Sequence, residues 1–133
     1  HVLSSHDLQQ VFRSVSSSLR PDGHFVFDLL TDDQPNVAGG LLYRDFSGNG
    51  QPLVQTIEWH PREGSITCTI LEHRPGSRFP TVEVHRERTY SPQEVRQWLR
   101  GAGVRVRGIL DALSLRSADA ASPRVIIVAR REP

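Results

Sequence analysis

The sequence has no lysine and no methionine, a single cysteine, and few aromatic residues, 7% of the chain. All 16 basic residues are arginine. The absence of lysine excludes a Walker phosphate loop and Schiff-base chemistry, since both need an ammonium that acts as a point charge or gives up its proton. The lone Cys68 excludes an internal disulfide and a multi-cysteine zinc site, and an unpaired thiol fits a reducing cytoplasm. Excess charge is lacking too. A formal charge of +1 leaves no electrostatic footprint for nucleic acid. No apolar run reaches membrane length, and His1 to Gln10 lack the basic and apolar regions of a signal peptide, so neither a nucleic-acid nor a membrane partner is expected. The first residue is His1 and not an initiator, which suggests a processed or excised chain; 133 residues hold one ordinary domain or part of a larger one.

What is present reads as alternating helix and strand. Leu8, Val11, Phe12, Val15 and Leu19 line one face of a helix that Ser4 or Ser5 caps and that stops at Arg20-Pro21-Asp22-Gly23. His24 to Leu30 reads as a buried strand. After a loop from Thr31 to Gly40, the runs Leu41–Phe46, Leu53–His60, Ser65–Arg74 and Thr81–Tyr90 read as four strands joined by short turns, the pattern of antiparallel hairpins. Val82 and Val84 alternate with polar neighbours, which predicts one dry and one wet sheet face. Helical period returns in Ser91 to Arg100, with Ser91 as cap, Pro92 in the first turn and Glu94 completing a capping box, and Gly101 and Gly103 close it. Val104–Leu110 and Val125–Ala129 read as two last strands, joined by a mobile loop over Ser114 to Pro123.

The order and spacing of these segments resemble the C-terminal half of class I S-adenosylmethionine-dependent methyltransferases. Leu19-Arg20-Pro21-Asp22-Gly23 is similar to the Leu-Lys/Arg-Pro-Gly-Gly turn before that family's fifth strand, with Asp22 replacing a glycine whose turn conformation aspartate tolerates. Tyr90 to Val104 resembles its "tyrosine, helix, leucine, alanine-glycine-phenylalanine" segment, and Val125 to Arg131 its seventh strand. The resemblance implies an α/β fold: the C-terminal half of a Rossmann-like methyltransferase sheet carrying an inserted antiparallel β-sheet. It divides the chain into residues 1–30, a helix and a central sheet strand; 31–90, the insertion as acceptor-side cover; and 91–133, a helix and two sheet strands. It implies S-adenosylmethionine as cofactor. The glycine-rich turn that brings backbone against such a cofactor is absent, since Gly48-Asn49-Gly50 and Gly101-Ala102-Gly103 stand in the wrong contexts and lack a third glycine. The missing strand–helix units amount to about 100 residues at roughly 30 per unit, so this segment alone is expected to be inactive.

Nucleophile and metal signatures are missing from the residues themselves. His60, His73 and His85 fall in separate strands without ligand spacing, no Gly-x-Ser-x-Gly elbow exists, and Cys68 alternates with Ile66 and Ile70 as a packing residue would. Methyl transfer asks little more than an aligned acceptor, exclusion of water and, for some acceptors, removal of a proton. The resemblance therefore points to Asp28, near the end of its strand, as an acceptor-side hydrogen-bond acceptor or weak base, with a satisfied polar strand end as the other reading. Tyr43, Trp59, His60, Arg86 and Tyr90 are further pocket candidates, or else ordinary sheet packing. His1, Val2 and Leu3 match a region that touches the cofactor in the family. Two functions stay open: part of a small-molecule methyltransferase, or a non-catalytic binding or dimerisation module built on the same fold. The strand His24–Leu30 is expected to offer an exposed edge through which a homodimer pairs.

Overall fold

The computed structural model describes residues 4–32, 41–45 and 53–133, residues 41–44 as backbone. His1, Val2, Leu3, Phe46 and the turn at 47–50 lie outside the described residues. The chain is a mixed α/β structure with two small antiparallel sheets, one three-stranded and one four-stranded.

Helix α1 (Ser5–Ser18) begins where the Ser4 hydroxyl accepts the Asp7 amide at 3.0 Å. It buries Leu8, Phe12 and Ser16, while Val11, on the edge of the apolar stripe, stays 38% exposed. The turn that follows depends on two residues. Asp22 takes φ 63° and anchors the Arg130 guanidinium at 2.6 Å; a Cβ on Gly23 would lie 2.8 Å from the Arg20 carbonyl oxygen, so only glycine fits there. Strand β1 (His24–Leu30) then pairs antiparallel with the last strand, β7 (Arg124–Arg131), which pairs on its other side with β6 (Val104–Asp111). Both outer strands run opposite to β7 and hence parallel to one another.

One face of this sheet carries the core. Phe25, Phe27 and Leu29 stand opposite Ala129, Ile127 and Val125, and Phe12 of α1 packs on Phe25 and Phe27 at centroid distances of 6.4 and 5.5 Å. Helix α2 (Pro92–Gly101), capped by Ser91, adds Val95 and Leu99, both fully buried. Strand β1 was expected to be a buried strand. It is covered on one face only: Val26 is 58% exposed, because among the described residues no layer packs on that side and no strand lies beyond β1.

The second sheet has the order β2 (Leu41–Asp45), β3 (Leu53–His60), β4 (Ser65–Glu72), β5 (Thr81–Arg88). Strands β4 and β5 end earlier than expected, at Glu72 and Arg88. The dry-and-wet alternation expected for β5 is not found: all residues from Thr81 to Val84 are exposed, since nothing described packs on either face there.

Two adjacent crossings tie the sheets together. The chain leaves β1 through Thr31, whose amide donates to the Pro123 carbonyl at 3.0 Å and whose hydroxyl donates to the Ser122 carbonyl at 2.7 Å. It returns at Thr89 and Tyr90. The Tyr90 amide donates to the Leu30 carbonyl, the Thr89 amide to the Gly64 carbonyl, and the Thr89 hydroxyl to Asp32 Oδ1 at 2.7 Å. Thr31, Thr89, Tyr90 and Ser122 are all buried. The loop expected to be mobile before β7 is instead hydrogen-bonded: Asp111 Oδ1 accepts the Leu113 and Ser114 amides, which hold its carboxyl below the ordinary value, and Ser117 bridges back to Leu110. Thr89→Val, which keeps shape and removes one hydrogen bond to a charged partner, is expected to lower unfolding free energy by about 1–2 kcal/mol in urea titrations.

Candidate functional site

Beside the crossings, at the C-terminal end of β1, lies a cavity of about 290 Å³ that is partly open to solvent. Its apolar wall comes from Leu8 of α1 and from Phe27, Leu29 and Leu30; its polar side comes from Asp28, Glu87, Arg88, Tyr90 and Arg124. Strand alternation turns Asp28 away from the core that Phe27 and Leu29 enter. Its Oδ2 pairs with Arg124 Nε at 2.7 Å, and both side chains remain about half exposed, which leaves carboxylate lone pairs open to a ligand. Tyr90 is held from two sides, by the Trp98 ring edge-on at 5.9 Å and by the Arg88 guanidinium 5.4 Å from its ring centroid. Burial pushes the Tyr90 phenol above its ordinary value, against the opposing pull of Arg88, with Asp7 adding to the rise. The Asp28 carboxyl and the Tyr90 phenol, kept neutral by burial, thus line one cavity with an apolar wall.

Of the candidates read from the sequence, the cavity brings together Asp28 and Tyr90. The others lie out on the four-stranded sheet. His60 Nε2 contacts the Thr67 hydroxyl at 3.1 Å and stands 3.9 Å from Glu58; Arg86 is opposite Thr67 on the same face and exposed. Trp59 falls on the opposite face, in a row with Ile66 and Glu87, and its indole N–H is buried without a hydrogen-bond partner. Tyr43 stands opposite Thr56 in the backbone register. Sequence reading missed Leu8, Glu87, Arg88 and Arg124. Arg88 carried a signal, since two residues before Tyr90 places it on the same side of an extended chain. Arg124 carried none, because its place beside Asp28 depends on the β1–β7 register.

No family model matches the chain, and no curated protein matches it. Solved structures do. An S-adenosylmethionine-dependent methyltransferase from Clostridium acetobutylicum matches with a TM-score of 0.81 at 17% identity, over 99% of this chain and 54% of its own. The methyltransferase CcbJ from Streptomyces caelestis matches with a TM-score of 0.79 at 18% identity, over 98% of this chain and 55% of its own. CalS10, an amino pentose methyltransferase from Micromonospora echinaspora, matches with a TM-score of 0.67 at 13% identity, over 96% and 52%. The chain has the fold of half an S-adenosylmethionine-dependent methyltransferase. It spans about half the length of these structures, which fits the share expected from the resemblance of its turn and strand motifs.

Methyltransferase cofactor sites of this class need backbone to approach the ligand closely after a strand, and the described glycines do not supply that. Gly64 and Gly76 turn hairpins, Gly23 precedes β1, Gly101 ends α2, Gly103 stands between α2 and β6, and Gly108 lies within β6; none opens a helix after a strand. Among the described residues, none of the glycines forms such a cofactor cradle. Among them, no helix is long and apolar enough to cross a membrane.

The raised Tyr90 ionisation has a thermodynamic consequence. The fold favours the neutral phenol, so its contribution to stability is full below the unfolded value near 10.0 and is lost as pH rises from there through the higher folded value. Alkaline denaturation followed by circular dichroism is expected to show a smaller loss of stability above pH 10.0 in Tyr90→Phe than in the parent.

Proposed function

We propose that this chain is the acceptor-side half of an S-adenosylmethionine-dependent methyltransferase that acts on a small molecule bearing an amine or hydroxyl. The observation that carries the reading is the cavity at the end of β1, where Asp28, Arg124 and Tyr90 converge against an apolar wall. On this reading the three-stranded sheet is the C-terminal part of a Rossmann-like sheet. The four-stranded sheet is an insertion that covers the acceptor, tethered by the paired crossings at Leu30–Asp32 and Thr89–Tyr90. A sulfonium donor supplies the electrophilic methyl group. The residues of this chain bind and orient the nucleophile: the Asp28 carboxylate accepts a hydrogen bond from the N–H or O–H of the neutral acceptor, and an amine that arrives protonated first gives up that proton, which the carboxylate as a weak base can accept. Arg124 positions the Asp28 carboxyl through their 2.7 Å ion pair, and the neutral Tyr90 phenol can donate to an acceptor oxygen.

The methyl donor itself is held mainly outside this chain, and His1, Val2 and Leu3 are proposed as its contacts from this side. A name among the structural relatives, the amino pentose methyltransferase CalS10, supports an amino sugar as acceptor class. A cytoplasmic setting agrees with Cys68, half-buried and free. The free edge of β1 is proposed to receive the rest of the methyltransferase sheet, so homodimer pairing through it belongs to this segment in isolation.

Two measurements test the reading. Calorimetry of this chain with S-adenosylmethionine is expected to show no saturable binding, and micromolar affinity would refute the division into halves. Titration with methyl β-glucosaminide, followed by amide chemical shifts, is expected to move Asp28, Arg88 and Tyr90. Asp28→Asn is expected to weaken that binding about 10-fold, the equivalent of one charge-assisted hydrogen bond. Shifts confined to the far strands β2 and β3, or none, would remove the acceptor site from this cavity.

A further inference from the structure

We propose that the cavity at the end of β1 takes an acceptor that carries a carboxylate as well as its amine, and that Arg124 is the residue that selects for the carboxylate. The inference rests on the reading of this cavity as the acceptor site and adds a second recognition element to it. Arg124 opens β7 and stands opposite Leu30, so Asp28, two residues back along β1, is its diagonal neighbour on the same sheet face. From there the guanidinium meets Asp28 Oδ2 through Nε, at 2.7 Å. Contact through Nε uses the side of the planar fork. Its far edge, formed by one N–H of each terminal nitrogen, is left for another acceptor. Among the described residues Asp28 is the one side-chain partner of this guanidinium, and about half of the Arg124 side chain is open.

The free edge of the fork has the geometry that takes a carboxylate through two parallel N–H···O bonds. Beside it, the half-exposed Asp28 carboxyl keeps lone pairs for the N–H groups of an amine. The ion pair therefore offers a donor edge and an acceptor edge side by side, and a ligand with an amine and a carboxylate complements both. An amine alone leaves the Arg124 edge to water. The charges around the cavity favour the same class: two carboxyl side chains, Asp28 and Glu87, are matched by two guanidinium side chains, Arg88 and Arg124. A ligand of zero net charge keeps that balance, whereas a polyamine or a phosphate monoester brings excess charge of one sign.

The test compares three probes by amide chemical-shift titration of this chain. Methyl β-glucosaminide carries the amine alone; the corresponding sugar with a carboxylate at its sixth carbon carries both groups; the N-acetylated form of that acid carries the carboxylate alone. The amino acid sugar is expected to bind about 10-fold tighter than methyl β-glucosaminide and tighter than its N-acetylated form, the gain of a charge-assisted, bidentate contact. In Arg124→Gln the ratio between the two amino sugars is expected to fall to near one. A ratio near one in the parent, a ratio that Arg124→Gln leaves unchanged, or an N-acetylated acid that binds as tightly as the amino acid sugar overturns the inference. In each of those cases shifts of Asp28 and Tyr90 with methyl β-glucosaminide leave the acceptor site standing. No shift at Asp28, Arg88 or Tyr90 with any of the three probes removes the acceptor site together with the inference.

Discussion

The structure depends on the hydrogen-bonded neck where the chain passes between its two sheets. Leu30 accepts the Tyr90 amide, Thr31 is bonded to Ser122 and Pro123, and Thr89 bridges Gly64 and Asp32. Buried backbone groups must find partners, and here each crossing supplies partners for its neighbours. The three-stranded sheet has a core of its own, in which Phe12, Val95, Leu99, Val125 and Ile127 close around one face. The four-stranded sheet has none of comparable size among the described residues, where Ile66 is its one fully buried apolar residue. Its position is set by the neck, so the neck determines what stands over the end of β1.

That position gives the cavity its chemistry. Asp28 comes from the three-stranded sheet, Glu87 and Arg88 from the four-stranded one, and Tyr90 from the neck. Neither sheet alone makes the site. The Asp28 carboxyl paired with Arg124 and a phenol kept neutral by burial lie a few residues of backbone from each other because Leu30 and Tyr90 are hydrogen-bonded. The cavity thus has charge and hydrogen bonding on one side and an apolar wall on the other, the general make-up of a small-molecule pocket.

Much of this was legible in the sequence because it rests on local rules. The Ser91-Pro92 start of α2, the Pro21 to Gly23 stop and the strand at His24 follow from capping, φ restriction and side-chain pattern, and Asp22 adopts the positive φ its turn required. Asp28 and Tyr90 were picked out through the motifs that surround them, and both line the cavity at the end of β1. What escaped depends on register and on layers. Arg124 meets Asp28 because of how β7 pairs with β1, Trp59 and His60 part to opposite faces although adjacent, and Val26, Val82 and Val84 have the pattern of buried strands yet lie exposed where no layer covers them. A sequence pattern states which residues want burial, and only the assembled layers decide which get it.

Amide hydrogen exchange tests the central claim most directly. If the neck fixes the four-stranded sheet over β1, the amides of Thr31, Thr89 and Tyr90 exchange as slowly as those of β7 at Ile127, while the turn at Arg74 to Ser77 exchanges fast. Exchange of the three neck amides at turn-like rates, with the β3–β4 ladder still protected, would contradict the account, because the second sheet would then move independently of the site it is said to build.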